Sequence, residues 1–128
     1  MAAVAQRLRE LEGRFALEWH GHGGPPPLRD DWLAAVRAPD GVTVVRRAAP
    51  GEPEPWAALF SGETAHAPDV PGMLVALLAP LACAGVPVMV ASTFDADVVL
   101  VPADRLQDAA GALRAAGHRV ELISPPAR

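Results

Sequence analysis

The pattern of hydrophobic and polar positions is clearest in the second half of the chain. Residues 56–60, WAALF, form an apolar run of strand length. Two later runs, VPVMVAS at 86–92 and VVLV at 98–101, are rich in β-branched residues and flank the turn-prone sequence FDAD, which predicts a β-hairpin. RVELI at 119–123 predicts a closing strand, because the prolines that follow cannot continue inside a sheet.

Two stretches between these strands have the spacing of amphipathic helices. Asp69 can cap the first helix, whose opening turn tolerates Pro71 and which Gly85 ends. Pro80 is expected to kink or loosen its last turn. Asp104 marks the start of the second helix. The apolar stripes consist of Met73, Leu74, Leu77, Leu78 and Leu81 in the first helix, and of Leu106, Ala109, Ala110 and Leu113 in the second.

The resulting order from 56 to 123 is βαββαβ. Two right-handed crossovers of this kind give a four-stranded antiparallel sheet with both helices on one face. The sequence therefore predicts a ferredoxin-like α/β (α+β) fold.

The first half of the chain has a weaker pattern, interrupted by Pro/Gly-rich loops at 21–31 and 49–55. RFALEWH alternates as a strand does, and DWLAAVRAPDGVTVVRR predicts a hairpin around Pro39-Asp40-Gly41. A short helix from Asp31 to Ala38 is the competing interpretation. Residues 3–12 allow a helical turn, on which nothing else depends.

Composition and charge limit the classes of partner and the cellular compartment that the sequence is compatible with. Fifteen acidic and 11 basic residues give a net charge of −4, with scattered arginines, which argues against nucleic acid. The charged N-terminal stretch offers no signal sequence, and the longest apolar run, 73–83, is too short for a membrane span. The single cysteine, Cys83, lies in this apolar run, which predicts a buried side chain and a reducing compartment. We expect a cytoplasmic protein.

The segment from Gly72 to Val120 resembles the ACT-domain family of short bacterial proteins and of the cytosolic arginine sensors of animals. The resemblance is carried by APLACAG at 79–85, STFDAD at 92–97 and VVLVPADRL at 98–106, in the family's order and spacing. It implies an ACT domain over residues 55–124, a tail at 125–128, and a smaller, degenerate ACT-like N-terminal subdomain over residues 1–50 packed beside the domain.

The resemblance also implies a ligand site, since related ACT domains bind free amino acids where a first loop and helix start meet a neighbouring domain. It places that loop at His66 to Gly72, beside the STFDAD turn. The implied ligand-binding residues are Asp69, Val70, Gly72 and Met73 at the helix start, and Thr93, Phe94, Ala96 and Asp97 on the turn. No catalytic residue, metal or cofactor is implied.

These residue types suit an amino-acid zwitterion. Asp97 and the carbonyls of Thr93 and Phe94 can receive its ammonium group, and the start of a helix near Val70 can receive its carboxylate. Gly72 allows close approach to the backbone, and Phe94 can form an apolar wall. In the arginine-sensing relatives the position of Val70 is acidic, so a neutral or apolar amino acid fits this chain better than arginine.

Two other functions compete with an amino-acid sensor. A structural or interaction module can keep the fold without the ligand. An enzyme would need Asp97 with His118, or the pair His20 and His22, and the sequence has no nucleophile elbow, phosphate loop or paired-glycine dinucleotide motif. A metal site at the two histidines and His66 is disfavoured for lack of other ligands at suitable spacing. His118 is expected to contact the last carbonyls of the second helix.

A homodimer is expected, because joining sheets across a two-fold axis protects their edges and creates clefts between domains. Three tryptophans, at 19, 32 and 56, are expected to act as core or interface anchors.

Overall fold

A computed structural model describes residues 4–23, 28–64 and 70–123 of the chain. In this part of the chain, strands and helices alternate in the second half and strands alone fill the first. The strands are β1 Arg7–Glu10, β2 Phe15–His20, β3 Trp32–Ala38, β4 Gly41–Arg47, β5 Trp56–Phe60, β6 Met89–Ser92, β7 Asp97–Pro102 and β8 Arg119–Glu121. The α-helices are α1 Met73–Cys83 and α2 Leu106–Ala115, and short 3-10 turns occupy Gly62–Thr64 and Ala103–Arg105.

The second half has the ferredoxin-like arrangement. Its elements run β5-α1-β6-β7-α2-β8, and β7 pairs antiparallel with both β5 and β6. The helices pack on one face of the sheet, where Leu59, Leu77 and Leu113 are fully buried in the larger apolar cluster. The predicted hairpin around FDAD and both predicted helices are confirmed.

Strand β1 lies inside this sheet, which corrects two expectations. It pairs antiparallel with β5 and parallel with β8, placing Leu8 opposite Val120, so this part of the sheet has the order β6-β7-β5-β1-β8 instead of four antiparallel strands. The helical turn allowed at residues 3–12 is wrong for Arg7–Glu10. Leu8 is buried on the helix side, and alternation along the strand keeps Arg7 and Arg9 exposed.

Strands β2, β3 and β4 of the first half pack on the other face of the sheet. β2 pairs with β4, β4 with β3, and Phe15 of β2 pairs with Trp56 of β5. The predicted hairpin around Pro39-Asp40-Gly41 is confirmed, with Gly41 at φ 138, and the alternative helix at 31–38 is wrong.

A second apolar cluster joins Phe15 and Val45 to Ala58, Val98 and Leu100. Trp56 packs against this cluster, whereas Trp19 is exposed. Residues from both halves therefore share one sheet and its cores. The division into a subdomain of residues 1–50 and a domain of residues 55–124 stays a prediction from the resemblance.

Helix α1 begins later than expected. Val70, Pro71 and Gly72 precede it, and Gly72 occupies the N-cap position with φ 84 and no side-chain cap. The helix passes through Pro80 to Cys83, which is exposed rather than buried because it lies on the side of the helix turned away from the sheet. Asp69, predicted as the cap, lies outside the described residues.

Candidate functional site

A cleft of about 300 Å³ lies where the start of α1 meets the turn between β6 and β7. Seven of the eight predicted site residues line it, and the eighth, Asp69, is outside the described range. The lining consists of Val70, Gly72, Met73, Leu74 and Val75 on one side, and Ser92, Thr93, Phe94, Ala96 and Asp97 on the other. Two segments more than 15 residues apart in sequence are thus brought together, because α1 packs on the sheet face that includes β7.

Asp97 forms the inner wall of the cleft. It is 3% exposed, and its Oδ1 accepts a hydrogen bond from Ser92 Oγ at 2.7 Å. Its backbone N–H donates to Ser61 Oγ at 2.9 Å, while the Ser61 N–H donates to the Asp97 carbonyl at 3.0 Å. Ser61 and Ser92 were not among the predicted site residues. They fix the position of the carboxylate.

The turn that carries the other residues is closed at its base. The Thr93 N–H donates to the Ala96 carbonyl at 2.8 Å, and the Ala96 N–H donates to Thr93 Oγ1 at 3.1 Å. This ring of bonds leaves Phe94 and Asp95 at the tip of the turn. Phe94 is 85% exposed, so the predicted apolar wall stands at the mouth of the cleft.

The opposite wall is the first turn of α1. The Ala76 N–H donates to the Gly72 carbonyl at 3.1 Å, so the N–H groups of residues 73–75 come before the first intrahelical bond. These groups lie at the positive end of the helix dipole. Val70 and Val75 expose apolar side chains beside them. Among the described lining residues, Asp97 is the one that carries a charge.

A separate polar cluster lies on the strands of the first half, in a wider cleft of about 580 Å³. Arg46 donates to both carboxylate oxygens of Glu52 at 3.0 and 3.1 Å, and its Nε donates to Glu18 at 3.4 Å. Glu18 also bonds His20 Nε2 at 2.8 Å. The His20 bond is the main cause that lowers the pKa of Glu18, and the Arg46 bond is the main cause that lowers the pKa of Glu52. These charges are paired with one another.

Two further findings concern metals and membranes. Within the described ranges, His, Cys, Asp and Glu side chains form no group of three or more that could hold a metal ion. No helix in the described part of the chain is long and apolar enough to cross a membrane.

Two solved structures are similar to this chain in fold. An Agobacterium tumefaciens protein, Atu0741, superposes with a TM-score of 0.80 at 24% identity, over 98% of this chain and 99% of that one. A Vibrio cholerae protein of unknown function, VC0802, described as a possible transport protein, gives a TM-score of 0.68 at 19% identity, over 83% of this chain and 85% of that one. Both similarities support the fold.

No curated protein is similar enough to the chain to count as a match. The family comparison is more informative, because the sequence model of the ACT domain matches residues 52–115, which is half of the chain. The match spans β5, α1, β6, β7 and α2, and therefore both walls of the cleft. On this match, the chain belongs to the ACT-domain family.

Proposed function

We propose that this protein binds a free amino acid in the cleft between α1 and the β6–β7 turn and acts as a regulatory sensor. ACT domains are small-molecule-binding regulatory modules, typically without catalysis, and membership of the family extends that general role to this chain. The observation that carries the finer proposal is the convergence of seven residues, from two separate segments, on one cleft of about 300 Å³. This volume is at the small end of ligand sites, about 300–1,000 Å³.

The two charged ends of an amino acid find partners on opposite walls. Its carboxylate is placed against the N–H groups that open α1, where the helix dipole favours an anion. Its ammonium group is placed towards Asp97 and the carbonyls of Thr93 and Phe94, since charge-assisted hydrogen bonds to such oxygens are strong. Ser92 holds the Asp97 carboxylate in place for this contact.

The side chain of the ligand is expected to be neutral and apolar. Val70, Met73 and Phe94 supply apolar surface around the cleft, and Asp97 is the one carboxylate among the described residues that line it. Val70, at the position that is acidic in the arginine-sensing relatives, offers no charge to a guanidinium group. Leucine, valine or methionine is therefore favoured over arginine.

A second copy of the chain is proposed to complete the site. Val75 is 61% exposed and Phe94 is 85% exposed, and both stand at the mouth of the cleft. Covering them with a homodimer partner would remove apolar surface from water and enclose the ligand. The same exposed residues favour the alternative function, an interaction module that holds a partner and no ligand.

A thermal-shift screen against the twenty amino acids tests the proposal, because a ligand of the native state raises the melting temperature by mass action. An upward shift with leucine, valine or methionine, larger than with arginine, is expected. Asp97→Asn should abolish the shift. Asp95→Asn makes the same change at the exposed tip of the turn, outside the cleft lining, and should leave the shift intact.

Two outcomes would contradict the proposal. A flat response to all twenty amino acids at millimolar concentration would favour the interaction module. A larger shift with arginine than with the apolar amino acids would overturn the assignment of ligand class while keeping the sensor.

A further inference from the structure

Gln6, the residue before β1, occupies a buried junction between β1, β8 and α1. It is 1% exposed. Its backbone carbonyl accepts from the Arg119 N–H at 2.9 Å, and its side-chain Nε2 donates to the carbonyl of Met73 at 2.8 Å. Met73 is the first residue of α1 and lines the cleft. Gln6 therefore holds the helix at the residue that would contact a ligand.

His118 adds a second tie to the same helix. Its Nδ1 accepts the Gln6 backbone N–H at 3.0 Å, so in a neutral ring the proton is on Nε2, which contacts the Ala76 carbonyl at 2.9 Å. Pro80 has no N–H to give that carbonyl, four residues earlier in the helix. The side chain of His118 thus supplies the donor that the proline removes. Its backbone N–H donates to the Leu113 carbonyl in the last turn of α2 at 3.0 Å, as its place after Gly117 predicts.

Arg7, the residue after Gln6, makes a contact that precedes α1 in the chain. The Arg7 N–H donates to Thr64 Oγ1 at 2.8 Å. Thr64 precedes, and Met73 follows, the segment that leads into α1. Gln6 and Arg7, consecutive in sequence, therefore hydrogen-bond to the chain after and before this segment.

The amide of Gln6 is less favourable for the stability of the folded state than an apolar side chain at this buried position. Its Oε1 is buried and has no hydrogen-bond partner among the described residues. A buried polar atom left without a partner destabilises the folded state, so an apolar side chain of the same length would serve packing as well. Packing alone does not explain a glutamine here.

We propose that Gln6 is a positioning residue of the ligand cleft: from β1 it fixes the first turn of α1, and thereby the N–H groups that receive the ligand's carboxylate. The inference rests on the proposed function. Gln6 lies outside the region that matches the ACT family, so a residue from the first half of the chain would contribute to ligand affinity.

The substitution Gln6→Met tests this, because methionine keeps the length and removes the donor. The urea midpoint should change little, since the lost bond is offset by loss of the buried oxygen. Leucine affinity should fall by up to about tenfold, the equivalent of one net hydrogen bond. In the ligand-free protein, amide hydrogen exchange should accelerate at residues 73–77 and stay unchanged in α2. Gln107→Met, at an exposed position of α2, is the matched control and should alter none of these quantities.

The outcomes separate this inference from the proposed function. If the wild type binds leucine and Gln6→Met binds it equally well with unchanged exchange in α1, the inference is overturned and the sensor stands. If the wild type binds no amino acid, amide hydrogen exchange of Gln6→Met tests the contact by itself. Faster exchange confined to residues 73–77 supports the role of Gln6 in fixing the first turn of α1, and unchanged exchange overturns it. A large drop in the urea midpoint with uniformly faster exchange would mean that Gln6 is merely structural.

Discussion

Gly72 and Gly85 flank α1, and both have left-handed backbones, with φ 84 and φ 70. An added Cβ would meet no atom of the described residues within 4 Å at either position, so Gly→Ala is expected to act through backbone strain, about 1 kcal/mol in each case. We expect equal stability losses in urea unfolding, but reduced leucine affinity for Gly72→Ala only, because Gly72 lines the cleft. Equal affinities in the two variants would argue against ligand approach at Gly72.

The polar cluster of Glu18, Arg46 and Glu52 predicts a pH dependence. Both carboxyl groups have pKa values lowered from 4.5, so they stabilise the folded state above that pH and cease to do so as the pH falls below it. Arg46→Gln should therefore lower the urea midpoint at pH 7, and its difference from the wild type should shrink towards pH 3. A difference that is the same at both pH values would show that Arg46 acts through packing.

The resemblance to the ACT family indicated the residues that line the cleft because they lie on two short segments that match the family's motifs, and their role in ligand binding stays a prediction. Ser61 could not be predicted, since its bonds to Asp97 span 36 residues and a serine after a strand has no distinctive signal. The prediction that Cys83 is buried was wrong for a related reason. An apolar run predicts burial on average, and only the packing of the helix decides which side faces water.

At the scale of elements, α1 depends on a donor from outside itself. His118→Phe leaves the buried Gln6 N–H and the partly buried Ala76 carbonyl without their partner, at a cost of about 2–4 kcal/mol. Pro80→Ala restores a backbone donor to Ala76. We therefore expect His118→Phe to cost about 1 kcal/mol less in the Pro80→Ala background, measured by urea unfolding as a double-mutant cycle. Strict additivity would contradict the pairing of His118 with the proline.

The contrast between β1 and the other elements shows what periodicity can predict. Both helices and the β6–β7 hairpin have local spacing that fixes their type. Strand β1 has four residues, of which Leu8 alone is large and apolar, and its parallel partner β8 is more than 100 residues away. Its charged neighbours suggest a surface segment. Only the long-range pairing places it in the centre of the sheet.

At the scale of the whole molecule, the inserted strand makes the matched ACT region dependent on the first half. A fragment of residues 52–128 lacks β1, which leaves the facing edges of β5 and β8 without a partner strand. We expect this fragment to show no cooperative thermal transition by circular dichroism. Adding residues 1–51 as a separate chain should restore the transition. A cooperative transition in the fragment alone, at the melting temperature of the full chain, would contradict this dependence.

The parallel pairing of β1 with β8 also has a consequence for synthesis on the ribosome. Strand β1 is synthesised more than 100 residues before its neighbour β8, so this part of the sheet cannot close until β8 has left the exit tunnel. Until then β1, including its apolar residue Leu8, lacks this partner strand in the nascent chain. Strand β1 is therefore expected to enter the sheet only after β8 has been made.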